Sequence, residues 1–165
     1  MFSVATAIFS FANAPLLQLV AQKLALAHPG YESGLTSAAI IVTQLATIPM
    51  ALLVTRANMI GRKPLLIIAL AAVPMRALLC AIYDDPGWLL GVQLLDGVGA
   101  GLFDALLPLA LADMMRGTGR YSFARGVLSM IGGVGGSTGQ GAAGFIVSRV
   151  GYDTAFLTLT AVGVM

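Results

Sequence analysis

The strongest constraint on this chain is a series of long segments with almost no charged residues. The segments span residues 1–22, 33–55, 64–83, 86–112 and 126–148. Together they contain three charged side chains, Arg76, Asp96 and Asp104. A helix needs about 20 mostly apolar residues to cross the ~30 Å hydrocarbon layer of a bilayer. Each segment therefore has the length of one membrane crossing.

The overall composition excludes a soluble protein. Hydrophobic residues make up 58% of the chain and charged residues 10%, whereas a soluble domain carries about 25% charged residues. The 9 basic residues are too few for a nucleic-acid-binding surface. In lipid, backbone groups must pair within their own segment, so the spans must be helical. We expect an all-α integral membrane protein with residues 1–165 in a single membrane domain.

The pattern predicts six transmembrane helices, at approximately residues 2–27, 34–55, 64–83, 88–115, 122–149 and 153–165. The last helix is incomplete, since 12 residues give only ~18 Å at 1.5 Å per residue. The chain is therefore expected to be either a natural half-length protein or a fragment. A signal peptide is a weaker interpretation of the first span, because the basic region that precedes such peptides is missing.

The basic residues predict the orientation. The second and fourth loops and their flanks contain Arg56, Arg62, Lys63, Arg116, Arg120 and Arg125. The opposite side has two basic residues, Lys23 and Arg149. By the positive-inside rule, the N-terminus and both basic loops are cytoplasmic, in a cell (inner) membrane.

The second loop, which is the first of the two basic loops, carries a recognisable motif. Residues 54–64 read VTRANMIGRKP, which resembles the G-x-x-x-D-R/K-x-G-R-R/K signature of the major facilitator superfamily. Gly61, Arg62 and Lys63 match, and Asn58 replaces the acidic residue. Further stretches are similar to the C-terminal half of that family, in the same order: residues 11–17, 95–101, 112–120 and 151–156.

The resemblance implies half of a twelve-helix secondary transporter, made of two inverted three-helix repeats. It implies that the first and fourth helices line the substrate cavity and that the second and fifth face the other half. It also implies a cytoplasmic gating network formed by Asn58, Gly61, Arg62, Lys63 and Asp113. A surface ion pair worth under ~1 kcal/mol is the alternative for Asp113. The partners would be the lipid bilayer, a small-molecule substrate, protons, and a second six-helix half or a second copy of the chain.

Two charged residues are predicted to pair inside the membrane. Arg76 and Asp96 each lie ten residues from Pro86, at the turn between consecutive antiparallel helices. They should therefore lie at similar depth, ~15 Å from the turn. Pairing would neutralise two costly charges, either as a structural bond or as part of the transport machinery.

Asp104 has no such partner, since the equidistant position on the third helix is Ile68. Ionisable groups at bilayer depth are functional candidates by default. Asp104 is accordingly a candidate for proton coupling or cation contact, or a neutral acid bonded to a neighbouring helix. Asn13, two residues before Pro15, is a further candidate for the substrate pathway, because a proline leaves a carbonyl group without its helical donor. Gln18 is another candidate, with a hydrogen bond between helices as the alternative.

The fifth helix is unusually rich in glycine. Gly132/Gly136 and Gly135/Gly139 form two GxxxG pairs, which allow close approach of helix backbones. The resemblance places this helix beside the other half of the transporter, so we expect the glycines to pack there.

No catalytic or cofactor site is predicted. The chain has one histidine and one cysteine, so neither a triad nor a metal site is expected. A lipid-processing enzyme would have to use Asp96, Asp104 and Asp113, but these lie ~80° and ~180° apart around the helix and cannot converge. The sequence favours secondary active transport of a small molecule by alternating access, with protons as a candidate coupling ion. The alternative is a half-length membrane module that packs against a partner bundle and transports nothing.

Overall fold

The computed structural model describes residues 2–27, 30–55, 61–83, 85–117 and 119–164. Its helices are α1 (Phe2–Ala27), α2 (Glu32–Thr55), α3 (Arg62–Ile82), α4 (Pro86–Met114), α5 (Tyr121–Val150) and α6 (Tyr152–Val164). Within these ranges every element is helical and none is a strand. The predicted all-α fold of six helices is confirmed.

Within the described residues, four helices are long and apolar enough to cross a membrane. They are α1 to α4, with mean hydropathy between 1.6 and 2.4 over their most apolar windows. Helix α5 has 30 residues, so its length suffices, but its glycines and polar residues reduce its hydropathy. Helix α6 has 13 residues and is shorter than a full crossing.

The helices pair in a pattern that an inverted repeat produces. The most extensive contacts are α2 with α4 and α1 with α5, followed by α3 with α4 and α3 with α6. In such a repeat, α1, α2 and α3 correspond to α4, α5 and α6 in that order. The α1–α5 contact therefore corresponds to the α4–α2 contact. The α3–α6 contact corresponds to itself, because α3 and α6 are each other's counterparts.

The third helix of each repeat also begins in the same way. Gly61 precedes α3 with φ 93° and Gly151 precedes α6 with φ 93°. Glycine adopts this left-handed region without the steric cost that a side chain brings. Each glycine therefore sets the angle at which the third helix of its repeat enters the bundle.

The α3–α4 connection is held by polar contacts at its end. The Trp88 backbone N–H donates to Asp85 Oδ2 at 3.0 Å, which caps α4. The Trp88 indole Nε1 donates to the Leu79 carbonyl at 2.9 Å, and the Tyr83 ring lies edge-on at 5.5 Å. These contacts link the end of α3 to the start of α4, so the two helices run antiparallel.

The glycine face of α5 packs against α1 of the same chain. A Cβ atom at Gly135 would lie 2.7 Å from the Ala7 carbonyl oxygen, and one at Gly139 would overlap the Phe11 carbonyl oxygen. The remaining two of the predicted glycines, Gly132 and Gly136, lie against Ser10 and Ala14 of α1. The expectation that Gly132, Gly135, Gly136 and Gly139 pack against another half of a transporter was therefore wrong about the partner.

The physical reason lies in α1. Pro15 has no N–H, so the carbonyl of Phe11, four residues earlier, lacks its helical donor. Because Gly139 has no side chain, the α5 backbone can lie directly against this carbonyl group.

A second glycine face joins α4 to α2. A Cβ at Gly97 would overlap the Ala46 methyl group and lie 2.5 Å from the Thr43 carbonyl oxygen. A Cβ at Gly101 would lie 3.1 Å from the Thr47 Cα. Both major interfaces between the repeats therefore depend on glycines of the second repeat.

Candidate functional site

A cluster of polar side chains surrounds Arg76 in the interior of the bundle. Arg76 is 1% exposed. Its Nη1 lies 2.7 Å from Asp96 Oδ1 and its Nη2 lies 2.6 Å from Gln93 Oε1. The guanidinium of α3 thus binds two residues of α4, one turn apart, in the forked geometry that suits arginine.

The same cluster reaches α1 and α2. Arg76 Nη1 also donates to Asn13 Oδ1 at 3.1 Å. From α2, the Thr43 hydroxyl lies 3.5 Å from both Asp96 Oδ2 and the Gln93 carbonyl oxygen. Four helices therefore meet at one buried charge pair, and most hydrogen-bonding groups of that pair have a partner. Arg76 Nε has no hydrogen-bond partner among the described residues.

An open cavity of about 430 Å³ lies between α1, α4 and α5. Its lining has a polar part and an apolar part. The polar side chains are Thr6, Ser10, Asp104, Arg125 and Ser129. The apolar ones are Phe9, Phe103, Leu107, Pro108, Leu111 and Leu128, with Gly132 completing the wall.

Asp104 and Arg125 are exposed on the walls of this cavity. They are not in ion-pair contact with each other, and Asp104 forms no hydrogen bond or ion pair with the described residues. Arg125 Nη1 lies 3.2 Å from the Tyr121 hydroxyl oxygen. One cavity therefore has a carboxylate and a guanidinium on its walls, held apart.

Two of the predicted pathway residues lie elsewhere. Asn13 is half-buried and bonded to Arg76, so it belongs to the charge cluster. Gln18 is exposed on α1 and is not among the residues that line the cavity. Only Asp104 of the three lies on the cavity wall.

A second polar cluster lies at the end of the bundle that contains the N-terminus of α3. Asp113, in the last turn of α4, forms ion pairs with Arg62 of α3 and with Arg116. The Arg116 Nη2 to Asp113 Oδ1 distance is 3.3 Å. Lys63 is exposed beside Arg62. Asn58, the remaining predicted gating residue, lies outside the described residues.

A matching ion pair lies at the opposite end. Lys23 Nζ, in the last turns of α1, lies 3.0 Å from Asp153 Oδ1, in the first turn of α6. The Lys23 ammonium also lies 5.4 Å from the centroid of the Phe156 ring. Because α1 corresponds to α4 and α6 to α3, this pair corresponds to the pair of Asp113 on α4 and Arg62 on α3. The positions of the positive and negative charges are reversed between the two pairs.

Sequence reasoning missed Arg125 and the Lys23–Asp153 pair. Arg125 was counted only for its charge, with the flanks of the fourth loop, and it lies within the first two turns of α5. Its position in the chain was visible, but the face it presents depends on how α5 packs on α1. Lys23 and Asp153 are 130 residues apart, and only the contact between α1 and α6 brings them together.

The acidic residues do not converge. Asp96 is bound to Arg76, Asp113 to Arg62, and Asp104 faces the cavity. Among the residues that the structure describes, no group of three or more His, Cys, Asp or Glu could hold a metal ion.

Comparison with known proteins gives a consistent result. A model of the Major Facilitator Superfamily matches residues 1–165. The chain is similar to an uncharacterized MFS-type transporter of Mycobacterium tuberculosis, in strains CDC 1551 / Oshkosh and ATCC 25618 / H37Rv, with 41% identity over 162 residues in each case. The match covers 98% of this chain and 39% of each relative, so the chain spans about two fifths of their length.

Proposed function

This multi-pass membrane chain belongs to the Major Facilitator Superfamily, and from that premise we propose that it forms one six-helix half of a secondary transporter. The half moves a small molecule by alternating access, and its sequence motifs fit the C-terminal half of such a protein. The observation that carries the proposal is the family match over residues 1–165 of a six-helix bundle. Two inverted repeats in such a half and a site between halves are the architecture of these transporters.

The basic residues support an orientation with the N-terminus in the cytoplasm of an inner membrane. Arg62, Lys63, Arg116 and Arg125 of the described residues lie at one end of the bundle. The acidic Asp85 and Asp153 lie at the other. The excess of Lys and Arg at one end is typical of the cytoplasmic side.

Asp104 is the candidate for proton coupling. It combines a position in a membrane-spanning helix with exposure on a cavity wall. A carboxyl group in that position can exchange a proton with water and still act on a substrate in the cavity.

The Arg62–Asp113 pair supports a gating role for the motif at residues 58–63. It links the start of α3 to the end of α4 at the predicted cytoplasmic face. An alternating-access cycle requires contacts at each face that form in one state and open in the other. Arg62 and Asp113 are partly exposed, so their pair can open without burying an uncompensated charge.

Reconstituted transport tests the proposal. The chain is co-expressed with the part of the M. tuberculosis relative that it does not match, and the two are reconstituted together in proteoliposomes. Uptake of a labelled set of amino acids, sugars and organic cations is then measured with and without a pH gradient. We expect saturable uptake of at least one solute that needs both parts. Absence of uptake in the presence of a stable complex would favour the alternative, a module that packs against a partner and transports nothing.

Asp104→Asn then tests the coupling role in the same liposomes. We expect uptake to lose its dependence on the pH gradient. Asp85→Asn is the control that keeps the gradient dependence, because Asp85 does not line the cavity and asparagine can also cap α4. Unchanged dependence in Asp104→Asn would remove Asp104 from the coupling mechanism and leave transport itself in place.

An intramembrane enzyme is not supported. A metal-dependent reaction would need Asp96, Asp104 and Asp113 near one ion, and each of the three has a different environment. The family also points to a transporter.

A further inference from the structure

The α1–α4–α5 cavity contains two opposite charges that do not neutralise each other. Asp104 and Arg125 line the same space of about 430 Å³ without forming an ion pair. Opposite charges in a partly apolar environment attract strongly and each costs free energy when left uncompensated. A ligand that carries both charges would satisfy both residues at once.

The two charges lie at different depths. Asp104 is ten residues before Met114, the last residue of α4, which places it ~15 Å from that helix end at 1.5 Å per residue. Arg125 is four residues after Tyr121, the first residue of α5, or ~6 Å from the same end of the bundle. The difference is ~9 Å along the helix axes, although the long Arg125 side chain can shorten it.

On the α4 side, the wall between the two charges is apolar. On α4, Leu107 and Pro108 lie at the depths between Asp104 and Arg125, and Leu111 is nearly level with Arg125. Phe103, the neighbour of Asp104 in the chain, stacks its ring on that of Phe9 at 4.0 Å with an interplanar angle of 9°. On its α4 side the cavity therefore presents an apolar stretch between the anion and the cation.

The acidic end has a second acceptor. Pro108 lacks an N–H, so the backbone carbonyl of Asp104, four residues earlier, has no helical donor. A carboxylate together with a carbonyl group whose helical donor is missing suits an ammonium group, which has three N–H donors. The guanidinium of Arg125, at the other end, suits a carboxylate.

We propose that this cavity binds a zwitterion whose ammonium and carboxylate groups are separated by an apolar spacer. Asp104 binds the ammonium end and Arg125 binds the carboxylate end. The inference rests on the proposed transport function, since it names the substrate class of that site. Ser10 and Ser129 add hydroxyl groups for hydrogen bonds along the walls.

Binding to the purified chain in lipid nanodiscs tests the inference without any need for transport. The probes are 6-aminohexanoate, which has both charges, and hexylamine and hexanoate, which have one each. Glycine serves as a zwitterion without a spacer. We expect 6-aminohexanoate to bind about tenfold more tightly than each single-charge probe, which corresponds to one additional charge-assisted hydrogen bond. Equal affinity of 6-aminohexanoate and either single-charge probe, or tighter binding of glycine, would overturn the proposal.

Paired variants assign the two ends. Asp104→Asn should weaken hexylamine about tenfold and leave hexanoate unchanged, and Arg125→Gln should do the reverse. Asp104→Glu and Arg125→Lys keep the charges and should retain most of the affinity. Arg149→Gln is the matched control, because Arg149 lies near the other end of α5. Loss of both probes in either neutral variant would indicate a structural role and contradict the proposal.

The outcome is distinguishable from failure of the proposed function. The probes can fail to bind while reconstituted liposomes still transport another solute, and then only the substrate class is wrong. Conversely, selective binding without uptake in liposomes would leave the site in place and remove the transport function.

Discussion

The two largest interfaces between the repeats, α1–α5 and α2–α4, are equivalent in topology and different in chemistry. Both bring helices together over glycines, Gly135 and Gly139 on α5 and Gly97 and Gly101 on α4. The α2–α4 interface also borders the buried Arg76–Asp96 cluster, to which Thr43 of α2 contributes. At the glycines of α5, the α1–α5 interface is made by small side chains and backbone, next to an open cavity.

The difference indicates how one architecture serves two needs. Close packing of small residues can be re-formed after a small displacement, since it involves few directional bonds. A buried ion pair with several hydrogen bonds holds one geometry, because displacement leaves uncompensated charges. We infer that the α2–α4 side is the more rigid of the two and the α1–α5 side, beside the cavity, is the more adjustable.

Removing the cation of the buried cluster should have the largest effect. Arg76→Leu leaves Asp96 buried without its counter-charge and should lower the free energy of unfolding by about 3–5 kcal/mol. The double variant Arg76→Leu with Asp96→Leu should lose much less stability than the two single variants lose together. The measurement is loss of helical circular dichroism during titration with sodium dodecyl sulfate, with the exposed Arg149→Leu as control. If the stability losses of the single variants add up in the double variant, the ion pair does not make the α2–α4 side rigid.

The α1–α5 interface is tested by Gly139→Ala. The new methyl group would overlap backbone atoms of Phe11, which cannot rotate away, so we expect a loss of about 1–3 kcal/mol. Gly141→Ala, two residues further along α5, has no neighbouring atom within 4 Å of its added Cβ and should be neutral or slightly stabilising. The same titration compares the two. Equal stability of both variants would show that α5 does not pack on α1 through this face.

Gly97→Ala makes the corresponding change on the α2–α4 side. Its methyl group would meet the Ala46 side chain and the Thr43 carbonyl. The loss should again lie within about 1–3 kcal/mol and close to that of Gly139→Ala, because the Ala46 Cβ is fixed to its backbone and cannot rotate away. Gly91→Ala, exposed on α4, is the matched control. If the α2–α4 side is rigid, the stability loss from Arg76→Leu should differ between the chain with Gly97 and the Gly97→Ala variant. A double-mutant cycle measures this difference.

Thr43→Val should have the smallest effect. The hydroxyl lies 3.5 Å from Asp96 Oδ2, a long contact, and interhelical hydrogen bonds in membranes average about 0.6 kcal/mol. Thr43→Val should therefore cost no more than about 0.6 kcal/mol. Thr158→Val is the control, since its hydroxyl bonds within its own helix, to the Ala155 carbonyl. A loss comparable to that of Arg76→Leu would mean that α2 contributes far more to the cluster than its geometry indicates.

Much of the fold followed from the sequence because bilayer thickness sets a length for each helix. Uncharged segments of that length gave six helices, and the motif at residues 54–64 indicated the family, which the comparisons confirmed. Counting from Pro86 placed Arg76 and Asp96 at one depth, and their side chains are in contact. Depth along a helix is thus readable from residue number.

Rotation about the helix axis is not readable from residue number in the same way. The glycines of α5 were expected to pack on another half of a transporter, and they pack on α1. Asn13 stays a candidate for the substrate pathway, and the structure adds its bond to Arg76. Arg125 was counted for its charge with the flanks of the fourth loop, and it lines the cavity. Each case concerns which neighbour a face meets, and that is decided by packing between helices distant in sequence.

The contact between Trp88 and the Leu79 carbonyl has a practical consequence for optical experiments. The chain has a single tryptophan, and its indole is anchored where α3 meets α4. Its emission therefore reports one location, at the membrane face away from the Arg62–Asp113 pair. Lipids brominated at known carbon positions would quench it according to immersion depth. A change in quenching upon addition of solute would indicate movement of the connection between α3 and α4, with no label attached to the protein.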